Sequence, residues 1–151
     1  MTSAVTLVDE PVLAITVRPP WSHWIALGVK PPENRSWRPP RGWDGALVIH
    51  AGKTLDPFGF AYGARLGHAV GEDEVARGEF IAVCRIREVH WAGPDCGAEC
   101  QDWGQPGCFH WMLSGVRRLT SMEGRGRQKL FVPPADVVSH ALEVVADDRA
   151  A

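Results

Sequence analysis

The stretch VKPPENRSWRPPRGWDGALVIHAGK, residues 29–53, combines two kinds of chemistry in one short segment. Its first half is rich in proline, cationic side chains and tryptophan, and it leads into the continuous apolar run ALVIHA (46–51). The prolines are incompatible with helix and with central strand, so the first half is predicted to be a loop. The apolar run predicts a strand that is buried on both faces. A hydrophobic core does not require such a mixture, and the segment therefore predicts a functional loop in front of a buried strand.

The sequence around this stretch favours short strands and small helices. The predicted elements are, in order, a strand VLAITV (12–17), a helix PWSHWIALG (20–28), a helix DPFGFAYGARLGHAV (56–70), strands EFIAVCRIREVHW (79–91), CFHWML (108–113) and RQKLFV (127–132), and a C-terminal helix PADVVSHALEVVA (134–146). Simple alternation places Ile81 and Val83 on one face of the longest predicted strand, 79–91. In the strand 108–113, Trp111 is predicted to lie in the core. These elements predict a mixed α+β, mainly β fold, a closed or partly closed barrel with peripheral helices.

Length and composition are those of an ordinary globular domain. The chain has 151 residues, with 45% hydrophobic and 23% charged residues. The N-terminus has no basic segment typical of a targeting signal, and no apolar run reaches the roughly 18 to 20 residues that span a bilayer. We therefore expect a cytoplasmic protein with no membrane partner and no cofactor, while the sequence carries no signal for an oligomeric state.

Charge is distributed unevenly along the chain. The net charge is −2, so attraction to a polyanion must come from local patches. Two basic runs are present, and they are also compatible with ordinary solvated faces. The first contains Arg18, Lys30, Arg35, Arg38 and Arg41, and the second contains Arg117, Arg118, Arg125, Arg127 and Lys129.

Residues 13–53 resemble the signature of the ASCH domain (activating signal cointegrator homology) of the PUA-like superfamily. That pattern joins a strand and a Pro-Trp turn to a helix, then G-x-K-x-x-E-x-R-x-W, then Arg-Gly and a strand ending in Ile-His-Ala. It is matched here by Pro20, Trp21, Gly28, Lys30, Glu33, Arg35, Trp37, Arg41, Gly42, Ile49, His50 and Ala51. Downstream, FHWML (109–113) and GRGRQKLF (124–131) resemble the closing strands of the family. The resemblance implies a PUA-like pseudo-β-barrel over 12–132, with an N-terminal extension (1–11) and a C-terminal helix and tail (133–151).

The resemblance also implies binding of RNA or single-stranded DNA, or of a free nucleoside, in a cleft beside the first helix. Such a site needs aromatic planes, polar groups that read a base edge, and cations for phosphates. The candidate ligand-binding residues are Trp21, Lys30, Glu33, Arg35, Trp37, Arg38, Arg41, His50 and Lys53. Five of these nine have a structural alternative of their own: Trp21 and Trp37 as core residues, Glu33 and Arg35 as an ion pair that shapes the loop, and His50 as a hydrogen-bonded group at the end of a strand.

Hydrolysis is the alternative that the same resemblance implies. Some ASCH members deacetylate N4-acetylcytidine, and another is a ribonuclease. In the deacetylases a lysine on this loop, a threonine three residues later and a more distant glutamate form the proposed catalytic set. Lys30 matches the lysine, but Glu33 occupies the position of the threonine. If the chain is an enzyme, Lys30 and Glu33 are its candidate catalytic residues. The glutamate in place of the threonine favours binding over catalysis.

A cluster of metal-ligating residues lies in CGAECQDWGQPGCFH (96–110). Cys96, Cys100, Cys108 and His110 could form a tetrahedral zinc site, although their spacing departs from common zinc motifs. Free thiols in a reducing compartment are the favoured interpretation, so no metal is assigned. The remaining thiol, Cys84, is predicted to be a small buried apolar residue.

Overall fold

Five β-strands form one curled sheet in the computed structural model, which describes residues 10–150. The strands are β1 (Val12–Val17), β2 (Pro32–Arg35), β3 (Ala46–Ala51), β4 (Glu79–Trp91) and β5 (Phe109–Glu123). The helices are α1 (Trp21–Ala26), α2 (Pro57–Arg65), α3 (Cys100–Trp103) and α4 (Ala135–Ala150), with a 3₁₀ turn at Glu72–Glu74. No helix in the part of the chain that the structure describes is long and apolar enough to cross a membrane.

The spatial strand order is β1-β3-β4-β5-β2. β1 and β3 run parallel, and every other neighbouring pair is antiparallel. An isolated bridge between Ala14 and Phe131 adds one further pairing on the outer side of β1. The result is a half-barrel with helices at its periphery, which confirms the predicted mixed α+β, mainly β fold.

The adjacent strands β1 and β3 are buried on both faces, as the apolar run 46–51 predicted. Ile15 and Ile49 point into a core that also contains Ile25 of α1. Ala14 and Val48 point to the opposite side, into a second core that α4 covers. Because side chains alternate along a strand, each of these strands needs an apolar residue at nearly every position.

β4 departs from simple alternation because its pairing with β5 contains three register shifts. Ile81 packs into the core beside α1, whereas Val83 packs into the core beneath α4. The prediction that these two residues share a face was therefore wrong. Bulges bend long strands and re-aim side chains, and here they let one hairpin contribute to both cores. Trp111 of β5 is fully buried, as predicted.

Two other predictions of local structure need correction. Residues 32–35, predicted as loop, form the edge strand β2, where Pro32 occupies the first position that an edge strand tolerates. The segment 127–132, predicted as a strand, contributes a single bridge residue, Phe131. Prolines and short polar segments define strands poorly because their pairing depends on a partner that is distant in sequence.

Candidate functional site

A cleft of about 340 Å³ lies between α1 and the edge strand β2. We call it the tryptophan cleft, and its wall includes Thr16, Trp21, Lys30, Glu33, Arg35 and Trp37. The chain reaches it by a tight turn after α1, where Gly28 has a φ of 77° and the backbone N–H groups of Val29 and Lys30 both donate to the carbonyl of Trp24. This turn directs the Lys30 side chain inward. The sequence motif is therefore built around a real concavity.

The tryptophan cleft contains a buried ionic network. Lys30 and Glu33 are only 3% and 5% exposed. The Glu33 carboxylate accepts a hydrogen bond of 2.7 Å from Arg35 Nε and lies 3.5 Å from Lys30 Nζ. Arg35 Nη2 also donates to the carbonyl of Thr16 at 2.7 Å. One anion thus lies between two cations, and the local charge of this network is positive.

The Lys30 ammonium is perturbed by its position. Burial lowers the pKa of Lys30, and the neighbouring Glu33 carboxylate opposes that shift. Lys30 Nζ also donates to the carbonyl of Pro32 and lies 6.0 Å from the centre of the Trp21 ring. A desolvated lysine with these contacts can either hold an anionic or polar ligand or act as a base or nucleophile.

Both tryptophans of the cleft are held in place by other side chains. Trp21 Nε1 donates to Asp56 Oδ2 at 2.8 Å, and its ring packs edge-on against Trp24. Trp37 packs edge-on against the buried Trp111 at a centroid distance of 4.9 Å. Each ring is half-buried and partly packed against the core, and its role in ligand binding stays a prediction. Fixed aromatic rings lose little freedom when a base stacks on them.

A larger cleft of about 820 Å³ lies on the other side of Thr16, which lines both cavities. We call it the basic cleft, and its wall includes Thr16, His50, Lys53, Arg77, Glu123, Arg125 and Arg127. Four of these side chains are cationic and one is acidic. The Arg77 guanidinium is anchored by two hydrogen bonds to the carbonyl of Lys53, at 3.0 and 2.7 Å. Such a surface suits phosphate groups.

His50 holds the floor of the basic cleft. It is buried, its Nε2 lies 2.8 Å from the carbonyl of Gly124, and its Nδ1 lies 3.2 Å from the Thr16 hydroxyl. A carbonyl oxygen only accepts hydrogen bonds, so Nε2 of His50 carries the proton. Nδ1 then accepts a hydrogen bond from the Thr16 hydroxyl, and the Thr16 oxygen accepts one from the backbone N–H of Arg127. Burial lowers the pKa of His50, while the bond to Gly124 opposes this. His50 is therefore hydrogen-bonded on both ring nitrogens near the end of β3, and a role in ligand binding stays a prediction.

The predicted site residues are divided between the two clefts. Trp21, Lys30, Glu33, Arg35 and Trp37 line the tryptophan cleft, and His50 and Lys53 line the basic cleft. Arg38 and Arg41 are exposed and line neither. Arg38 instead lies over the ring of Phe109 at 5.4 Å. The sequence had not singled out Thr16, Arg77, Asn34 and Gln105, because each becomes a wall residue only through contacts distant in sequence.

The structure changes the candidate metal-ligand set. Cys96, Cys100 and His110 converge, but the fourth member of the cluster is His90. Cys108, which the sequence had suggested, lies with its sulfur 3.4 Å from the carbonyl of Gln105 and 3.8 Å from Asn34 Oδ1. All four cysteines are free thiols, and burial raises the pKa of Cys84 to about 12, as suits an inert core residue.

The architecture is shared with solved ASCH structures. The ASCH protein of Zymomonas mobilis superimposes with a TM-score of 0.53 and 11% sequence identity, covering 91% of this chain and 96% of that one. Two single-substitution variants of that protein give TM-scores of 0.52 and 0.51 at 10% and 11% identity, with 91% and 89% of this chain and 96% of each variant covered. No protein-family model matches the chain, and no curated protein matches it in sequence. The chain therefore has the ASCH-domain fold, as the sequence resemblance predicted.

Proposed function

We propose that this protein binds a nucleotide within RNA or single-stranded DNA, with the base in the tryptophan cleft and the adjoining phosphates in the basic cleft. The observation that carries the proposal is the adjacency of the two clefts across Thr16. One supplies aromatic rings and buried polar groups, and the other supplies cations. A nucleotide chain needs both kinds of surface side by side.

The size and chemistry of the tryptophan cleft suit one base. Its volume of about 340 Å³ is at the lower end of the range for small-molecule sites, so one base fits better than a stack of several. The Glu33 carboxylate accepts hydrogen bonds and the Lys30 ammonium donates them, so together they can read a base edge that has both a donor and an acceptor. Stacking on Trp21 or Trp37 would contribute about 1 to 3 kcal/mol.

The phosphate contribution would come from the exposed segment that follows β5. Arg125 and Arg127 are exposed and line the basic cleft. Between them, Gly126 lies so close to β1 and β3 that a β-carbon there would be 2.4 Å from Thr16 Oγ1 and 2.8 Å from His50 Nδ1. The glycine keeps the loop against the strand ends, and this position holds its two arginines beside the cleft.

Fluorescence anisotropy with labelled single-stranded RNA and DNA oligomers tests the proposal. The Arg125→Ala/Arg127→Ala variant should bind more weakly, with a salt slope smaller by about 1.4, since each lost phosphate contact on a single strand contributes about 0.7. Trp37→Leu should weaken binding by about 1 to 3 kcal/mol without changing that slope. Arg118→Ala is the matched control, because Arg118 is exposed in the same basic run and lines neither cleft.

Two outcomes would contradict this proposal. If no oligomer binds at low salt, where phosphate contacts are strongest, a nucleic-acid ligand is ruled out. If Arg118→Ala weakens binding as much as the double variant, general surface charge and not the basic cleft is responsible.

The second candidate function is hydrolysis of a modified nucleoside of the N4-acetylcytidine type, or of the nucleic-acid strand itself. The lowered pKa of buried Lys30 favours it, because a lysine acts as a base or nucleophile only when its neutral form is accessible. The Glu33 carboxylate, 3.5 Å away, works against that role by stabilising the charged form. Consumption of N4-acetylcytidine, or shortening of an RNA oligomer, that Lys30→Ala abolishes and Arg118→Ala preserves would favour catalysis.

A further inference from the structure

We propose that His90, Cys96, Cys100 and His110 bind a structural Zn²⁺ ion that attaches the segment 92–108 to the sheet. The four donor atoms all lie within 4.8 Å of one another. His90 Nε2 and His110 Nδ1 are 3.3 Å apart, and Cys96 Sγ is 3.5 Å from each of them. Cys100 Sγ is 3.5 Å from His90 Nε2.

The four separations of 3.3 to 3.5 Å match those of a tetrahedral zinc site. With Zn–N bonds of about 2.0 to 2.1 Å and Zn–S bonds of about 2.3 Å, tetrahedral geometry separates two nitrogens by about 3.3 Å and a nitrogen from a sulfur by about 3.5 Å. Hydrogen bonds between thiols and imidazoles can produce any one of these distances, and a single central ion produces them together. Two sulfur and two nitrogen donors in this geometry favour zinc over harder cations.

The hydrogen bonds on the far side of each histidine support the same conclusion. His90 Nδ1 donates to the Glu88 carboxylate at 2.9 Å, and His110 Nε2 donates to the carbonyl of Gln105 at 2.7 Å. In a neutral imidazole the other nitrogen then carries a lone pair, so two lone pairs point at each other across 3.3 Å. A cation between them removes that repulsion. Histidines that bind metals are oriented by outer hydrogen bonds of this kind.

The strand pairing explains why the ligands meet. His90 near the end of β4 is directly opposite His110 near the start of β5. The two cysteines come from the connection between these strands, Cys96 from its first part and Cys100 from the first position of α3. The connection exceeds the roughly 12 to 15 residues beyond which loops with little secondary structure of their own are uncommon. A metal that joins it to both strands would add to the packing of Trp103, which is buried and contacts Trp24.

The zinc would be structural and would support the tryptophan cleft. Four protein donors complete tetrahedral coordination, so no position remains for a reacting water. His110 contacts Gln105, whose N–H donates to Asn34 Oδ1 at 2.9 Å, and Asn34 Nδ2 donates to the carbonyl of Trp103 at 3.0 Å. Asn34 and Gln105 both line the tryptophan cleft. The ion would thus hold one wall of that cleft, whichever ligand the cleft takes.

Metal analysis of the full-length chain purified under reducing conditions tests this inference. We expect about one zinc per chain, lost in His90→Gln and in Cys96→Ser. Cys108→Ser is the matched control and should retain the metal, because Cys108 points at Asn34 and Gln105 instead. Glu88→Gln should weaken zinc affinity about 10- to 100-fold while leaving the stoichiometry unchanged at saturation.

A measurement on the unmodified protein covers the case in which a ligand variant fails to fold. After removal of zinc with a chelator, added Co²⁺ should bind once per chain and give the visible absorption of tetrahedral cobalt with thiolate ligands, and zinc should displace it. Reduced protein that binds neither Zn²⁺ nor Co²⁺ stoichiometrically would overturn the inference. Loss of metal in Cys108→Ser with retention in His90→Gln would equally overturn the ligand set.

Discussion

Replacing Glu33 with glutamine removes the anion that lies between Lys30 and Arg35 in the tryptophan cleft. Lys30 would then remain 97% buried beside a second cation, with neutral oxygens, the carbonyl of Pro32 and the amide of the introduced glutamine, as its acceptors. At the 3.5 Å separation of Lys30 and Glu33, Coulomb's law with an effective dielectric constant of about 20 gives an attraction of about 5 kcal/mol. Breaking a buried pair by removing one partner costs about 3 to 5 kcal/mol. We expect Glu33→Gln to lower the free energy of unfolding by that amount.

Urea unfolding monitored by tryptophan fluorescence at about pH 7 measures this loss. Lys30→Met is the matched comparison, because Glu33 keeps its 2.7 Å bond to Arg35 and no charge remains buried alone. That variant should stay within about 1.5 kcal/mol of the wild type. In the double variant the methionine should recover about 2 kcal/mol of the Glu33→Gln loss, within the range of coupling for residues in contact. A Glu33→Gln protein within about 0.5 kcal/mol of the wild type, or additive losses in the double variant, would refute this reasoning.

The pH dependence gives an independent check on the same pair. Burial lowers the pKa of Lys30 in the folded state below its ordinary value of about 10.4. Between these two pKa values the unfolded chain binds more protons at this site than the folded chain does, so the contribution of Lys30 to the free energy of unfolding rises with pH. Glu33→Gln removes the carboxylate that raises the pKa of Lys30, so the folded-state pKa falls further and the rise in stability with pH begins at a lower pH. The stability deficit of the variant should therefore shrink as the pH rises from neutral towards about 10.4. A deficit that stays constant over this range would show that the buried ammonium is not its cause.

Two further predictions concern the packing behind the clefts. Burial lowers the pKa of His50 below its ordinary value of about 6.5, so its contribution to stability is present above that value and is lost as the pH falls through the folded-state pKa. Urea titrations from about pH 7 to pH 4.5 should show a shallower acid loss for His50→Gln than for the wild type, and identical slopes would contradict the role of His50. Gly63→Ala would place a β-carbon 2.0 Å from the buried ring of Trp24, so overpacking of about 1 to 3 kcal/mol should exceed the roughly 1 kcal/mol gain in helix propensity. Thermal unfolding should show a lower Tm for Gly63→Ala, and a Tm equal to or above that of the wild type would mean that Trp24 moves aside freely.

Local patterns predicted most of the fold that surrounds the site. The β-branched runs of β1 and β3, the short helix between prolines and Gly28, and the amphipathic C-terminal helix were all recognisable because their information lies within a few residues. The motif residues Lys30, Glu33, Arg35 and Trp37 were likewise identified from spacing and resemblance, and they line one cleft. Their part in ligand binding stays a prediction.

Other features were beyond sequence reasoning because they depend on register between distant strands. The bulges between β4 and β5 place Ile81 and Val83 in different cores, and simple alternation along a strand does not predict bulges. The edge strand β2 exists because β5 offers it a partner, despite Pro32. Arg77 joins Lys53 in the basic cleft only because the start of β4 pairs with the end of β3.

The metal-ligating cluster illustrates the same division. Sequence alone drew attention to Cys96, Cys100 and His110, because they form a local cluster of metal-ligating residues. Only the tertiary structure could exchange Cys108 for His90, because the antiparallel register of β4 and β5 places His90 directly opposite His110. The amino-acid sequence therefore determined which side chains were available for chemistry and which local elements carry them. Long-range strand pairing decided which of them meet, since hydrogen-bond register fixes distances between residues that have no local relationship.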